Sequence, residues 1–285
     1  MTWRIALPVA LLRLARAHNC AATALMTFFG AYLATGAWPD LTGPAGRAAV
    51  VMALLVAACN AYNDLQDETE DRENAPQRPL PSGALTRRQA AVFVAATMSA
   101  GLVISASLGP RGLTIALLVT AVGAFYSKAL KSTVLAGNAV VGTLSGFTVV
   151  YGALAVDGVN AAVLSAGILA GLYVFFREIL KTAADIDGDI RGGITTVATH
   201  FGYARAVAAA RAAAAFFVVA GFVLASVAHA APTFVPAFAV VNALPTCALI
   251  IALRGNATQE RLRAVLRVSK VLWFMTPLSA SFLRG

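Results

Sequence analysis

Apolar residues run along this chain in long, nearly unbroken blocks separated by short polar segments. Nine blocks, at roughly 18–36, 46–63, 88–108, 111–129, 133–154, 159–181, 203–228, 233–253 and 264–282, are each mostly apolar. A helix of about 18 or more such residues is long enough to cross the hydrocarbon core of a bilayer. The pattern predicts an all-α integral membrane protein with nine transmembrane helices, forming one polytopic domain over residues 1–285. The first apolar stretch carries Arg13 and Arg16 and lacks a clear small-residue cleavage site, so it does not read as a removable signal peptide.

Composition agrees. The chain is 59% hydrophobic and 12% charged, whereas soluble domains carry about a quarter charged residues. A net charge of +9 could suggest nucleic acid, but the placement of the charges argues against it. Of 22 Lys and Arg, 19 fall at the N-terminus or around the segments joining spans 2–3, 4–5, 6–7 and 8–9, leaving Arg47, Arg111 and Arg284 for the other side. That is the positive-inside pattern of a multi-pass cell-membrane protein, with the N-terminus in the cytosol and the C-terminus outside. The basic excess therefore implies anionic membrane lipid as a partner and no nucleic acid. Cys20, Cys59 and Cys247 lie unpaired in apolar stretches and read as packing residues.

The acids are less evenly spread. Six of 13 lie between Asp64 and Glu73 in "NDLQDETEDRENAPQRPLPSG", and four more (Glu178, Asp185, Asp187, Asp189) lie in "REILKTAADIDGDIRGG". Both clusters follow an even-numbered span and so emerge on the cytosolic face. On a helix, Asn60, Asn63, Asp64, Asp67 and Asp71 fall within an arc of about 100°, with Glu73 opposite. Glu178, Lys181, Asp185 and Asp189 likewise share a face, with Asp187 opposite. One acidic loop reads as a solvated connector. Two loops with matching i, i+4 stripes call for something positive, because neighbouring carboxylates disfavour one another's charge. Hard oxygen ligands without His or Cys suit Mg²⁺, which takes one or two carboxylates and completes its shell with water and phosphate oxygens.

Basic residues complement them. "FYSKALKS" places Tyr126, Lys128 and Lys131 at the cytosolic end of span 4, and Arg16, Arg78 and Lys181 are further candidates for a diphosphate. Lys128 and Lys131 read equally as positive-inside anchors, and Arg87 and Arg88 read as anchors. In "RPLPSG", Pro79 and Pro81 cannot continue a helix and Gly83 permits a turn. The segment is a plain connector or a cap holding Arg78 toward phosphates. Thr86 is placed to cap span 3.

These residues resemble the signatures of the UbiA superfamily of intramembrane prenyltransferases. Asn63, Asp67 and Asp71, followed by Arg78 and Gly83, are similar to its N-x-x-x-D-x-x-x-D and R-P-x-P-S-G pattern. Asp185 and Asp189 in "DIDGD" resemble its second D-x-x-x-D, and "YSKALK" and Gly137–Asn138 resemble landmarks between them. The resemblance spans the chain and implies nine helices around a central cavity, with Mg²⁺-dependent ionisation of a polyprenyl diphosphate. It makes Asn63, Asp67, Asp71, Asp185 and Asp189 both metal ligands and catalytic residues. "RAHN" and "REILK" look closest to the branch that alkylates geranylgeranylglyceryl phosphate. Ala17, Thr182 and Ala198 depart from it where members often have Pro, Asp and Pro.

The expected reaction is transfer of a prenyl group from its diphosphate to a lipid-soluble acceptor, at a hydroxyl or aromatic carbon. Lys131, Lys128, Arg78 and Tyr126 would share the leaving charge. Phe125, Phe147, Tyr151, Tyr173 and Phe176 are candidates to line the isoprenoid, or are ordinary packing. The alternative is a UbiA-type terpene cyclase acting on the diphosphate alone. A transporter would more naturally place charges or broken helices near the span midplanes.

Overall fold

The structure is a computed structural model that describes residues 6–255 and 257–284. The side chains of Glu70, Glu73 and Asn74 are outside the description, and the direction expected for Glu73 lies there too. Among the described residues every regular element is helical. The chain divides into two compact units.

The first unit comprises Met1–Phe28 and Pro39–Leu130. It holds α1 (Leu7–Ala15), the start of α2 (Ala17–Thr35), α3 (Pro44–Gln66), α4 (Glu68–Asn74), α5 (Arg87–Ala106) and α6 (Gly109–Phe125). A five-residue π-helical turn, Tyr126–Leu130, extends α6 without a break. Proline opens α1, α3 and α6, where a missing N–H costs nothing. Thr86 opens α5 as expected, in a reciprocal capping box with Gln89. The α3 helix packs along α5, with α1 and α6 beside it. Ala10, Leu14, Ala61, Leu80, Leu85 and Ala90 form a buried cluster beneath the acidic segment.

The second unit comprises Phe29–Trp38 and Lys131–Gly285. It holds the end of α2 and then α7 (Ala136–Leu154), α8 (Ala161–Ala184), α9 (Ile186–Arg191), α10 (Val197–Phe201) and α11 (Tyr203–Val227). After these come α12 (Phe234–Phe238), a π turn (Ala239–Ala243), α13 (Leu244–Ala252) and α14 (Gln259–Ala280). The α8 helix is central and packs on α7, α11 and α14. Gly142 and Gly146 of α7 face Gly171 and Gly167 of α8 so closely that a Cβ on Gly146 would lie 2.2 Å from the Gly167 carbonyl oxygen. This small-xxx-small contact brings two backbones together where lipid offers no hydrophobic drive.

All nine apolar blocks lie on helices. Seven helical segments are long and apolar enough to cross a membrane, from Pro44–Gln66 through Phe234–Ala252. The two outermost blocks fall on α2 and α14. The α2 helix carries His18 and Asn19 in its first turn, and α14 carries Glu260, Arg261, Arg263, Arg267 and Lys270. Length and composition alone therefore mark seven spans among the described residues, not nine.

Candidate active site

In the first unit the acidic motif is a hinged helix. The straight helix expected through residue 71 breaks at Asp67, which sits at φ −91° and ψ 3° between α3 and α4. This bridge region is sparsely populated and is a recurrent place for active-site residues. The ladder nevertheless continues across the break: Asp67 N–H donates to Asn63 O at 2.9 Å and Asp71 N–H to Asp67 O at 2.8 Å. Asp64, Asp67 and Asp71 are all buried. Asn63 Nδ2 donates to Asp67 Oδ2 at 2.6 Å, so the first two residues of the predicted trio touch directly.

Burying carboxylates is costly unless charge answers them. Arg16 Nη2 donates to Asp64 Oδ1 at 2.7 Å, and Arg78 Nη1 donates to Asp71 Oδ2 at 2.5 Å and lies 3.5 Å from Asp64 Oδ1. Burial still leaves the Asp71 carboxyl above its usual range, against the pull of Arg78 and aided by repulsion from Asp64 and Asp67. Arg16 caps α1 in the left-handed region at φ 53°, a conformation disfavoured for a residue with a Cβ. Asn60 does not join the acids, because its amide donates to Ala15 O at 2.9 Å and secures the end of α1.

The turn after α4 does hold Arg78 inward. Ser82 N–H bonds to Arg78 O, Leu85 N–H bonds to Pro79 O, and Gly83 supplies φ 73°. Leu80 and Leu85 anchor the turn in the core. Arg87 is more than a membrane anchor: its Nη1 reaches Glu68 Oε2 at 2.5 Å, while Arg72 takes Glu68 Oε1 at 2.8 Å. The two guanidiniums hold Glu68 below the usual carboxylate range.

The second unit repeats this build. Asp185, at φ −100° and ψ 7°, joins α8 to α9. Asp185 N–H donates to Lys181 O at 3.0 Å and Asp189 N–H to Asp185 O at 2.9 Å. Lys181 Nζ stands 3.9 Å from Glu178. Asp189 is half-buried, whereas Asp185 and Asp187 are exposed. Burial first, and the Asp185 charge second, push the Asp189 carboxyl up to about 6, against the pull of Lys181, Lys131 and a Thr196 hydrogen bond. Thr195 N–H bonds to Ser132 Oγ at 2.8 Å, tying the loop after α9 to the chain beside Lys131.

Tyr126 and Lys128 lie on the π turn, which packs against α3 in the first unit. Such turns are frequent at functional sites. Lys128 is exposed and Tyr126 half-buried. Of the proposed isoprenoid-lining rings, Tyr151, Tyr173 and Phe176 are buried, and Tyr173 packs among Phe176, Phe217 and Trp273. Phe125 is 57% exposed and lines no interior of its unit.

The donor set is hard and oxygen-rich. Among the described residues no three His, Cys, Asp or Glu side chains form a ready-made metal cage. The set fits a cation that takes one or two carboxylates and draws its remaining ligands from water and phosphate, as Mg²⁺ does.

The family model described as "UbiA prenyltransferase family" matches residues 23–273. A digeranylgeranylglyceryl phosphate synthase of Thermococcus kodakarensis is 31% identical over 281 residues, covering 96% of this chain and 99% of the relative. One from Halobacterium salinarum is 38% identical over 200 residues, covering 70% and 71%. A solved structure concerned with digeranylgeranylglyceryl phosphate synthase in membranes superposes with a TM-score of 0.77 at 23% identity, covering 97% of this chain and 98% of its own. A UbiA homologue from Archaeoglobus fulgidus, bound to GPP and Mg²⁺, gives 0.68 at 17% identity, covering 95% and 99%. Likeness at these identities speaks to the fold.

Proposed function

This chain belongs to the UbiA prenyltransferase family and is a multi-pass membrane prenyltransferase, and we propose that it transfers a prenyl group from a polyprenyl diphosphate to the hydroxyl of an isoprenoid glycerol phosphate. The observation that carries the chemistry is the repeated hinged helix, with Asp67 and Asp71 in one unit and Asp185 and Asp189 in the other. In this reading Asn63, Asp67, Asp71, Asp185 and Asp189 hold Mg²⁺. When bound, the metal neutralises charge building on the diphosphate oxygen as the allylic C–O bond breaks.

The chain's own groups have distinct parts. Arg78, already turned toward Asp71 and Asp64, is placed to swing from carboxylate to phosphate oxygen. Lys131 and Lys181, whose charges act on Asp189, offset the negative charge around the second motif. Tyr126 and Lys128 donate from the π turn. Arg16 remains on Asp64 and orients the first motif. The acceptor assignment follows the relatives named digeranylgeranylglyceryl phosphate synthase. The orientation we propose has the N-terminus and both motifs cytosolic and the C-terminus outside, from the distribution of Lys and Arg.

The test is incubation of the purified protein with C20 prenyl diphosphate and Mg²⁺, with and without geranylgeranylglyceryl phosphate. An ether-linked product that forms only with acceptor supports the reading. A cyclic hydrocarbon or alcohol formed without acceptor overturns it.

A further inference from the structure

Arg177 of α8 and Lys270 of α14 lie on two packed helices of the second unit, and among the described residues no acid pairs with either. Arg177, half-buried on α8, uses one donor, Nε, on Ser269 Oγ of α14 at 3.1 Å. Ser269 is fully buried, and its hydroxyl donates onward to Leu266 O at 2.9 Å. One turn earlier on α8, the buried Tyr173 hydroxyl donates to Ser269 O at 2.7 Å, and the Tyr173 ring stacks on Trp273 with centroids 5.6 Å apart. The guanidinium is thus held in place by α14. Lys270 is half-buried and follows Ser269 on that helix, next in sequence to the side chain that holds Arg177.

Among the described residues neither cation makes an ion pair, and the neighbouring acid, Glu178, is turned to Lys181. The contrast with the first unit is sharp. There Arg16, Arg72, Arg78 and Arg87 each meet a carboxylate. Two half-buried cations on the packed helices α8 and α14 favour an anion that can meet both. A guanidinium fork beside an ammonium suits a phosphate with two negative charges. Val271 and Phe274, exposed and apolar, flank Lys270, so the anion that fits is the head of a lipid, not a small soluble ion.

We infer that Arg177 and Lys270 bind the phosphomonoester headgroup of the acceptor lipid. This rests on the transferase reading only for calling that lipid the acceptor. Arg177 is a binding residue in this scheme. Ser269 and Tyr173 are positioning residues that fix its guanidinium.

The experiment measures binding, so it does not depend on turnover. The full chain in phosphatidylcholine nanodiscs is titrated with geranylgeranylglyceryl phosphate and with the same lipid lacking phosphate. The variants are Arg177→Met, Arg177→Lys and Lys270→Met, with dioleoyl phosphatidic acid and inorganic phosphate as competitors. The wild type should prefer the phosphorylated lipid by at least about tenfold. Arg177→Met and Lys270→Met should lose that preference, Arg177→Lys should keep part of it, and binding of C20 diphosphate should not change. Lys270→Met removes a side chain that makes no hydrogen bond or ion pair among the described residues, so it keeps the test independent of folding. An undiminished phosphate preference in both Met variants would overturn the inference. So would displacement by phosphatidic acid at equal concentration, which would mark a general headgroup site. A matching loss of C20 diphosphate binding would place the residues at the donor and overturn it as well. Absence of transfer by a wild type that shows the phosphate preference would instead count against the proposed function alone.

Discussion

Asp67 and Asp185 occupy equivalent places in two helices of the same build. Each ends a long helix and starts a short one, each lies in the bridge region, and each donates its N–H to the carbonyl four residues back, of Asn63 and Lys181 respectively. Four residues further on, Asp71 and Asp189 return the same bond to Asp67 and Asp185. The position that bears an amide in the first motif bears an ammonium in the second. The bends therefore belong to the motifs, since each unit forms its own.

Arg78 supplies a first prediction. It answers Asp71 and Asp64 in a buried cluster where Asp71 is already difficult to ionise. Arg78→Gln should destabilise the protein by about 1–3 kcal/mol, a charged hydrogen bond's worth. Mg²⁺ should then restore stability at lower concentration than it affects the wild type, because the metal takes the place left by the guanidinium. Thermal unfolding against Mg²⁺ concentration checks this. An equal or weaker Mg²⁺ response in the variant counts against a metal at these carboxylates.

A second prediction contrasts two glycines. A Cβ on Gly146 would meet the Gly167 backbone at 2.2 Å, where nothing can yield cheaply, whereas on Gly101 it would meet the flexible end of Leu55 at 3.0 Å. Gly146→Ala should cost about 1–3 kcal/mol through forced separation of α7 and α8. Gly101→Ala should stay within about 0.5 kcal/mol, because better helix propensity offsets a small adjustment. Melting temperatures in one detergent decide it, and similar values for the two variants would contradict the packing described.

A third prediction concerns the link between the acidic helix and α5. Arg87 and Arg72 share Glu68. Arg87 is largely exposed, so Arg87→Ala should change stability by less than about 1 kcal/mol. It should nevertheless loosen α4, which hydrogen exchange of the Asp71 and Ala75 amides would report. Unchanged exchange there would show that Glu68 contributes nothing to the hinge.

Much of this was legible in the chain. Apolar block length located every long helix, Thr86 announced its cap, and Pro79, Pro81 and Gly83 announced the turn that aims Arg78. The breaks at Asp67 and Asp185 were not legible, because the i→i−4 ladder runs through them and the acidic period stays helical. The short helix α1 was hidden in the first apolar stretch; its end depends on Arg16 at positive φ and on Asn60 forty-five residues away in sequence. Arg87 read as a surface anchor because its partner appears only once α4 and α5 are placed. The glycine spacing in "GTLSG" and "GILAG" was the one available signal for the α7–α8 contact, and it is visible only when both helices are compared.

The central claim is that carboxylates of both motifs are needed to hold Mg²⁺ with a prenyl diphosphate. Its most direct test is Mg²⁺-dependent binding of an unreactive C20 thiolodiphosphate to the wild type, Asp67→Asn and Asp185→Asn, substitutions that keep shape and remove charge. The account predicts binding that vanishes with chelator and weakens at least about tenfold in each variant. Wild-type affinity retained by either variant, or binding indifferent to Mg²⁺, would contradict it.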